Sequence, residues 1–326
     1  MKQTKTSATE SVMPSTANGE KTRYLIIGTG GVGGSIAGFL ALAGYNVTCI
    51  ARGAHLEAIR EKGLKLDSTL KGTHYIPVKA CTAEEYEEKA DVIFVCVKGY
   101  SLNSVTDLIR KASHKDTLVI PVLNVYGTGP KIKKLVGDVT VLDGCIYIVS
   151  YVASPGEVHQ MGKIFRIVYG AHKSEQVSTE RLETIRQHLV DSGIKAEISD
   201  DIDRDTFIKW SYISAMACTG AYFDAPMREL QQEGIPRETF ANLSKESLKI
   251  GLRLNINLPE DLVEYNLKVL DKLDPESTAS MQKDIAKGGD SEINGLLFGM
   301  IEKAEETGVE VPAYRMIAEK FQPLKS

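Results

Sequence analysis

The first residues that could do chemistry are glycines. Gly28-Thr29-Gly30-Gly31-Val32-Gly33 is a G-x-G-x-x-G run between an apolar strand, Tyr24-Leu25-Ile26-Ile27, and a small-residue helix over 35–43 that Gly44 stops. In that setting Gly28 permits the tight strand-to-helix turn. Gly30 lets the backbone approach a diphosphate, and Gly33 lets helix and strand pack closely. The helix N-terminus turns free N–H groups and a positive dipole end toward phosphates. A second strand, 46–50, ends at Ala51-Arg52, where NAD-preferring folds carry a carboxylate for the ribose 2′-OH. No carboxylate follows until Glu57. The planar fork and permanent charge of arginine match a 2′-phosphate. The expected cofactor is therefore NADP(H), on Gly28, Thr29, Gly30, Gly31, Val32, Gly33 and Arg52. Two more polar residues follow strand-like runs: Lys98 after 91–97, DVIFVCV, and Asn124 after 117–123. Ligands of open parallel sheets lie outside the carboxyl ends of the strands, so Lys98 and Asn124 join the expected cofactor site.

The elements that must position these residues alternate in type. Residues 91–97 form a nearly continuous apolar run, as a central parallel strand covered on both faces requires. Residues 55–63, 82–89 and 101–112 read as helices between strands, and the alternation predicts an open parallel sheet. The runs 139–152 and 163–169, joined through Pro155-Gly156, predict an antiparallel extension of that sheet. A helix over 178–192 and a last strand over 195–198 follow. From Asp201 the β-branched runs stop and helical patterns take over, at 205–223, 237–254, 259–273, 291–307 and 313–321. The predicted fold class is α/β, with an N-terminal Rossmann-type NADP-binding domain (22–199) and a C-terminal all-helical domain (200–326). Residues 1–21 are polar, lack the apolar core of a signal peptide, and are expected to be a disordered leader.

Composition narrows the function classes. A length of 326 residues suits two ordinary domains, and a net charge of -4 gives no basic footprint for nucleic acid. No apolar run reaches the ~20 residues of a membrane span. Cys49, Cys81, Cys96, Cys145 and Cys218 show no C-x-x-C spacing and read as small hydrophobes in a reducing cytoplasm, with neither disulfide nor zinc expected. The six histidines form no ligand pair.

After the leader, the chain resembles the ketopantoate reductase (2-dehydropantoate 2-reductase) family throughout. The motifs carrying the resemblance are the glycine loop, Arg52, Lys98, Asn124 in LNVYG, the turn in PGEVHQMGKIFRIVYG, DIDRDTFIKW, STASMQKDI and SEING. The resemblance implies NADPH-dependent reduction of a 2-keto acid to a 2-hydroxy acid. For ketopantoate the product is D-pantoate, the precursor of pantothenate and coenzyme A. It makes Lys209 and Glu292 catalytic. It gives the substrate to Asn124, Lys209, Ser280 and Glu292, with Asp284 in the same matching segment. A lysine in the apolar stretch Phe207-Ile208-Lys209-Trp210 suits the role, because a partly buried ammonium has a lowered pKa and can donate a proton near neutrality. Plain structural roles stand beside these: Lys209 snorkelling to solvent, Glu292 complementing a helix dipole, Ser280 capping a helix.

The chain departs from the family in places. Well-known members carry asparagines four, eight and eighteen residues after the lysine, where this chain has Ile213, Ala217 and Met227, and Val125 follows Asn124 where glycine is common. An alternative is therefore a paralogue reducing a more apolar keto acid or another carbonyl. A non-catalytic NADP(H) sensor is a third reading, disfavoured because it needs no proton donor. The expected partner is a small 2-keto acid, with no nucleic acid and no membrane, and a homodimer is the candidate assembly.

Overall fold

A computed structural model describes residues 22–321, so the leader lies outside the described residues. The chain opens with strand β1 (Arg23–Ile27), the glycine loop, helix α1 (Gly31–Leu42), β2 (Asn46–Ile50) and α2 (Gly53–Lys62). A hairpin follows, β3 (Leu64–Ser68) and β4 (Gly72–Ile76), and then β5 (Lys79–Cys81) and β6 (Ala90–Val95). A 3₁₀ turn (Gly99–Val105) leads into α3 (Thr106–Ala112), β7 (Ser113–Pro121), α4 (Thr128–Val136) and β8 (Thr140–Val141). Two long strands, β9 (Asp143–Ser154) and β10 (Glu157–Gly170), precede α5 (Thr179–Asp191) and β11 (Lys195–Ile198).

Six of these strands make a parallel sheet in the order β5-β2-β1-β6-β7-β8. Successive residues of a strand point to opposite faces. Tyr24 and Ile26 therefore enter one core with α1 and α5, while Leu25 and Ile27 enter another with α3 and α4. Both faces are covered, which explains the unbroken apolar run of β6.

The antiparallel extension expected over 139–169 does not form. Only the two-residue β8 prolongs the first sheet, and β9 and β10 belong to a second sheet with β3, β4 and β11. Buried Asp143 marks the departure. Its carboxylate accepts the N–H groups of Gly129 (3.2 Å) and Gly144 (3.0 Å), ending the ladder there. The hairpin then lies over α1, with Val158, Phe165 and Ile167 in the same core as Ile36, Phe39 and Leu40.

Two expected helices also change. Residues 82–89 form turns: Thr82 and Glu85 exchange the hydrogen bonds of a helix start, but no helix propagates. The first half of 101–112 is 3₁₀, because the Ser104 and Thr106 hydroxyls donate to the Ser101 and Asn103 carbonyls and compete with α geometry.

From Ile202 the described chain is helical: α6 (Ile202–Phe223), α7 (Met227–Gln231), α8 (Ile235–Arg253), α9 (Leu262–Leu270) and α10 (Ser280–Ala286). A π turn (Asn294–Phe298) then runs into α11 (Gly299–Thr307), and α12 (Pro312–Phe321) closes the described chain. Asp201 caps α6 by accepting from the Arg204 N–H. These helices share their own core around Phe207, Phe240 and Tyr314. All five cysteines are free thiols.

Candidate active site

The glycine loop follows β1 as the spacing requires. Gly28 adopts φ +94°, a region that favours glycine, and a Cβ on Gly33 would lie 2.2 Å from the Gly28 carbonyl oxygen. Thr29 is tied down: its N–H and Oγ1 both donate to the Ile50 carbonyl, at 3.1 and 2.9 Å. Its hydroxyl and its N–H are thus both spent on the fold. Beside Gly30 the space is open, with nothing within 4 Å of a Cβ position. Arg52 starts α2, is exposed, and among the described residues its guanidinium has no hydrogen bond or ion pair. Open backbone amides at the start of α1 and an unpaired cation after β2 fit a dinucleotide carrying a 2′-phosphate.

The loop after β6 carries the site toward the helical half. Val97 packs on Gly28 at 2.9 Å from a Cβ position, and Lys98 comes next. The Lys98 Nζ donates to Glu292 Oε2 at 3.0 Å and lies 3.7 Å from Asp284 Oδ2. Burial would pull the Lys98 pKa down, but Glu292 and then Asp284 outweigh it and raise it.

Glu292 is 5% exposed and sits just before the π turn. A π turn leaves carbonyls misaligned for ordinary helical bonds, and α6 supplies donors. Trp210 Nε1 donates to the Gly295 carbonyl (3.1 Å), and Ser214 Oγ donates to that of Leu296. Gly295 also presses on the loop after β7, since a Cβ there would lie 2.5 Å from Val125 Cγ2. Both contacts hold Glu292 beside Asn124 and α6.

Asn124 is the bridge. Its Oδ1 accepts from Lys209 Nζ at 2.9 Å, and its Nδ2 donates to Glu292 Oε2 at 3.4 Å. One amide thereby satisfies an ammonium and a carboxylate at once, which fixes its orientation. Lys209 is 6% exposed, and burial lowers its pKa against the pull of Cys145 and Glu292. Its Nζ lies 5.4 Å from the Tyr147 ring centroid. Arg166 lies over the same ring at 4.3 Å, beside a cavity of about 270 Å³ that also touches Glu197, Asp205 and Tyr265. That cavity is lined by none of Lys209, Asn124 and Glu292.

The structure thus joins Lys98, Asn124, Lys209 and Glu292. Glu292 reaches Lys209 through Asn124. Ser280 is exposed at the start of α10 and makes no side-chain hydrogen bond among the described residues. Asp284, one turn later, makes that helix's contact with the cluster. Ala217 and Met227, each 1% exposed, face the helical core, and only Ile213 of the three departures is half-buried. Tyr147 was not expected; nothing in the strand pattern of β9 marks one tyrosine as facing a lysine.

A phosphate-ready glycine loop, a buried lysine and a carboxylate make this a nicotinamide-nucleotide-dependent oxidoreductase. The profile described as ketopantoate reductase PanE/ApbA matches residues 24–174, and that of its C-terminal region matches 201–325. The chain belongs to the ketopantoate reductase family. It is 27% identical to the uncharacterized oxidoreductase YkpB of Bacillus subtilis over 302 residues, covering 92% of this chain and 98% of that protein. It is 28% identical to a 2-dehydropantoate 2-reductase of Pyrococcus horikoshii over 300 residues, covering 89% and 93%. A crystal structure of a putative ketopantoate reductase from Ralstonia solanacearum superposes with a TM-score of 0.81 at 26% identity, covering 92% and 97%.

Proposed function

We propose that the protein reduces a 2-keto acid to a 2-hydroxy acid with NADPH, and that ketopantoate, giving D-pantoate for pantothenate and coenzyme A synthesis, is its principal substrate. The observation that carries this reading is the buried Lys209 ammonium held on Asn124, whose amide also holds Glu292. When bound, the reduced nicotinamide supplies a hydride to the carbonyl carbon. The amides of 30–33 and Arg52 hold the phosphates. Lys209 gives its proton to the carbonyl oxygen as negative charge builds there. Asn124 keeps the ammonium aimed, and Glu292 offsets its charge. Ser280, at the first turn of α10, is available for the substrate carboxylate.

A second reading, a more apolar keto acid, is supported by Ile213, one turn along α6 from Lys209. The test is NADPH oxidation, followed by absorbance, with ketopantoate and a panel of 2-keto acids. Turnover with at least one supports the reading, and none with any of them would sink it.

A further inference from the structure

Behind the cluster, at the start of α6, lies an arrangement that the mechanism does not use. His172, just after β10, is held between two carboxylates: Nε2 is 3.3 Å from Asp143 Oδ2, and Nδ1 is 3.3 Å from Asp203 Oδ2. Asp143 belongs to β9 and is 2% exposed; Asp203 belongs to the first turn of α6. A neutral imidazole has only one N–H, so two flanking carboxylates call for the doubly protonated ring. Burial would lower the His172 pKa, but hydrogen bonds to Asp143 and Asp203 push it up to about 10. Burial pushes the Asp143 pKa up and His172 opposes it; the contact of both ring nitrogens with carboxylate oxygens favours the charged form of the trio. Lys133 and Glu175 line the adjacent cavity, and Lys173 acts on Asp203. Among the described residues no group of three or more histidines, cysteines or acids is placed to hold a metal ion.

The trio leads toward the active site. The other oxygen of Asp203 accepts from the Tyr126 hydroxyl at 3.3 Å. Tyr126 is two residues beyond Asn124 in the same loop. Its ring stacks on Trp210 at 5.7 Å and meets the edge of Phe207 at 5.2 Å, and Trp210 adjoins Lys209. The path from His172 to Lys209 is therefore ionic at one end and aromatic at the other, and it crosses from the sheet to α6.

We propose that His172, through Asp203 and Tyr126, is a positioning residue that fixes the Asn124–Tyr126 loop against α6 and so sets the contact between Asn124 and Lys209. This rests on the reading of Lys209 as the proton donor. Loosening the loop weakens the bond from Asn124 to the ammonium. The charged form of Lys209 is then less favoured, and its pKa falls further. Reduction needs the protonated lysine, so the alkaline limb of the kcat profile moves to lower pH.

The test uses the full chain with Tyr126→Phe, which keeps the ring and removes only the hydroxyl, and with His172→Gln. Melting temperature, NADPH affinity and kcat against pH are measured for each. The inference expects kcat to fall roughly tenfold to a hundredfold, as small misplacements of a catalytic group do. It expects the alkaline limb to move down by about 1 pH unit, the worth of roughly one hydrogen bond. NADPH affinity stays unchanged, because the glycine loop is at a different strand end. Lower melting temperatures with kcat and limb unmoved would overturn it. If His172→Gln does not fold, Tyr126→Phe alone decides. Lys209→Ala, run in parallel, separates the two readings: a variant with normal turnover defeats the proton-donor reading itself, whereas loss of turnover there with an unmoved limb in Tyr126→Phe defeats only the positioning role.

Discussion

Six consecutive residues, Gly28–Gly33, make the glycine loop, and its working groups are backbone amides. The Lys209 cluster is assembled from side chains 85 (Lys209 and Asn124), 168 (Asn124 and Glu292) and 194 (Lys98 and Glu292) positions apart. The loop is contiguous in sequence and is braced by Ile50 of β2 and Val97 after β6. The cluster needs the whole chain folded: the loops after β6 and β7, the π turn, and α6 running past all three. Lys98 connects the two regions, since Val97 packs on Gly28 and Lys98 bonds to Glu292. Cofactor binding should therefore survive damage that stops turnover, and several experiments can break that separation.

The largest effect should come from Lys209→Ala. Removing a general acid lowers kcat by about two to four orders of magnitude. NADPH affinity should stay close to that of the unmutated protein, because Lys209 contacts Asn124 and no part of the loop. In the unmutated protein the rate of reduction should decline as pH rises through the Lys209 pKa, which burial places below that of a free lysine. That decline should vanish from the residual activity of the variant. Equal losses of NADPH binding and turnover would show that loop and cluster are one unit.

The same contrast explains what could be read from the chain alone. The glycine loop, Arg52 and the strand ends are local patterns, and the structure has them where the spacing puts them. Lys98, Asn124, Lys209 and Glu292 are lone polar residues at element ends or in apolar stretches; only their resemblance to a family grouped them. Ser280 was grouped in the same way, and the structure gives its helix's contact to Asp284. Asp143 turns β9 out of the first sheet with a side-chain hydrogen-bond pattern that no alternation of apolar residues reveals. For the same reason the runs 139–152 and 163–169 read as strands correctly, but the sheet they join did not. The trio of Asp143, His172 and Asp203 is invisible in sequence, because its members lie in β9, in the segment after β10 and in α6.

Arg52→Ala probes the loop side and should have the next largest effect. A charge-assisted contact to phosphate contributes roughly 1.5–3 kcal/mol, about ten- to a hundredfold in dissociation constant. The loss should fall on NADPH and spare NADH, so most of the preference disappears. Turnover at saturating NADPH should hold, since Arg52 lies away from the cluster. Equal dissociation constants for NADPH and NADH in the unmutated protein would remove the reason for the assignment.

The smallest effect concerns the substrate, and it lies on the cluster side. Where well-known relatives have asparagines, this chain has Ile213, Ala217 and Met227. Two of those three are sealed in the helical core, so they cannot bond to a substrate as they stand. Ile213 remains, one turn beyond Lys209 on α6, in contact with the core yet not sealed by it. A substrate hydroxyl facing Ile213 gives up water without gaining a partner, at a cost of about 1–3 kcal/mol. A keto acid with an apolar side chain pays no such penalty and gains contact with the isoleucine. On the second reading, kcat/KM for 2-ketoisovalerate equals or exceeds that for ketopantoate with NADPH saturating; on the first, ketopantoate stays ahead. Ile213→Asn should shift the ratio toward ketopantoate by roughly tenfold, since a supplied amide restores about one hydrogen bond to the hydroxyl. A strong preference for ketopantoate in the unmutated protein, unaltered by Ile213→Asn, would mean that the hydroxyl is satisfied elsewhere, and the cavity beside Tyr147 and Arg166 would be the next place to search.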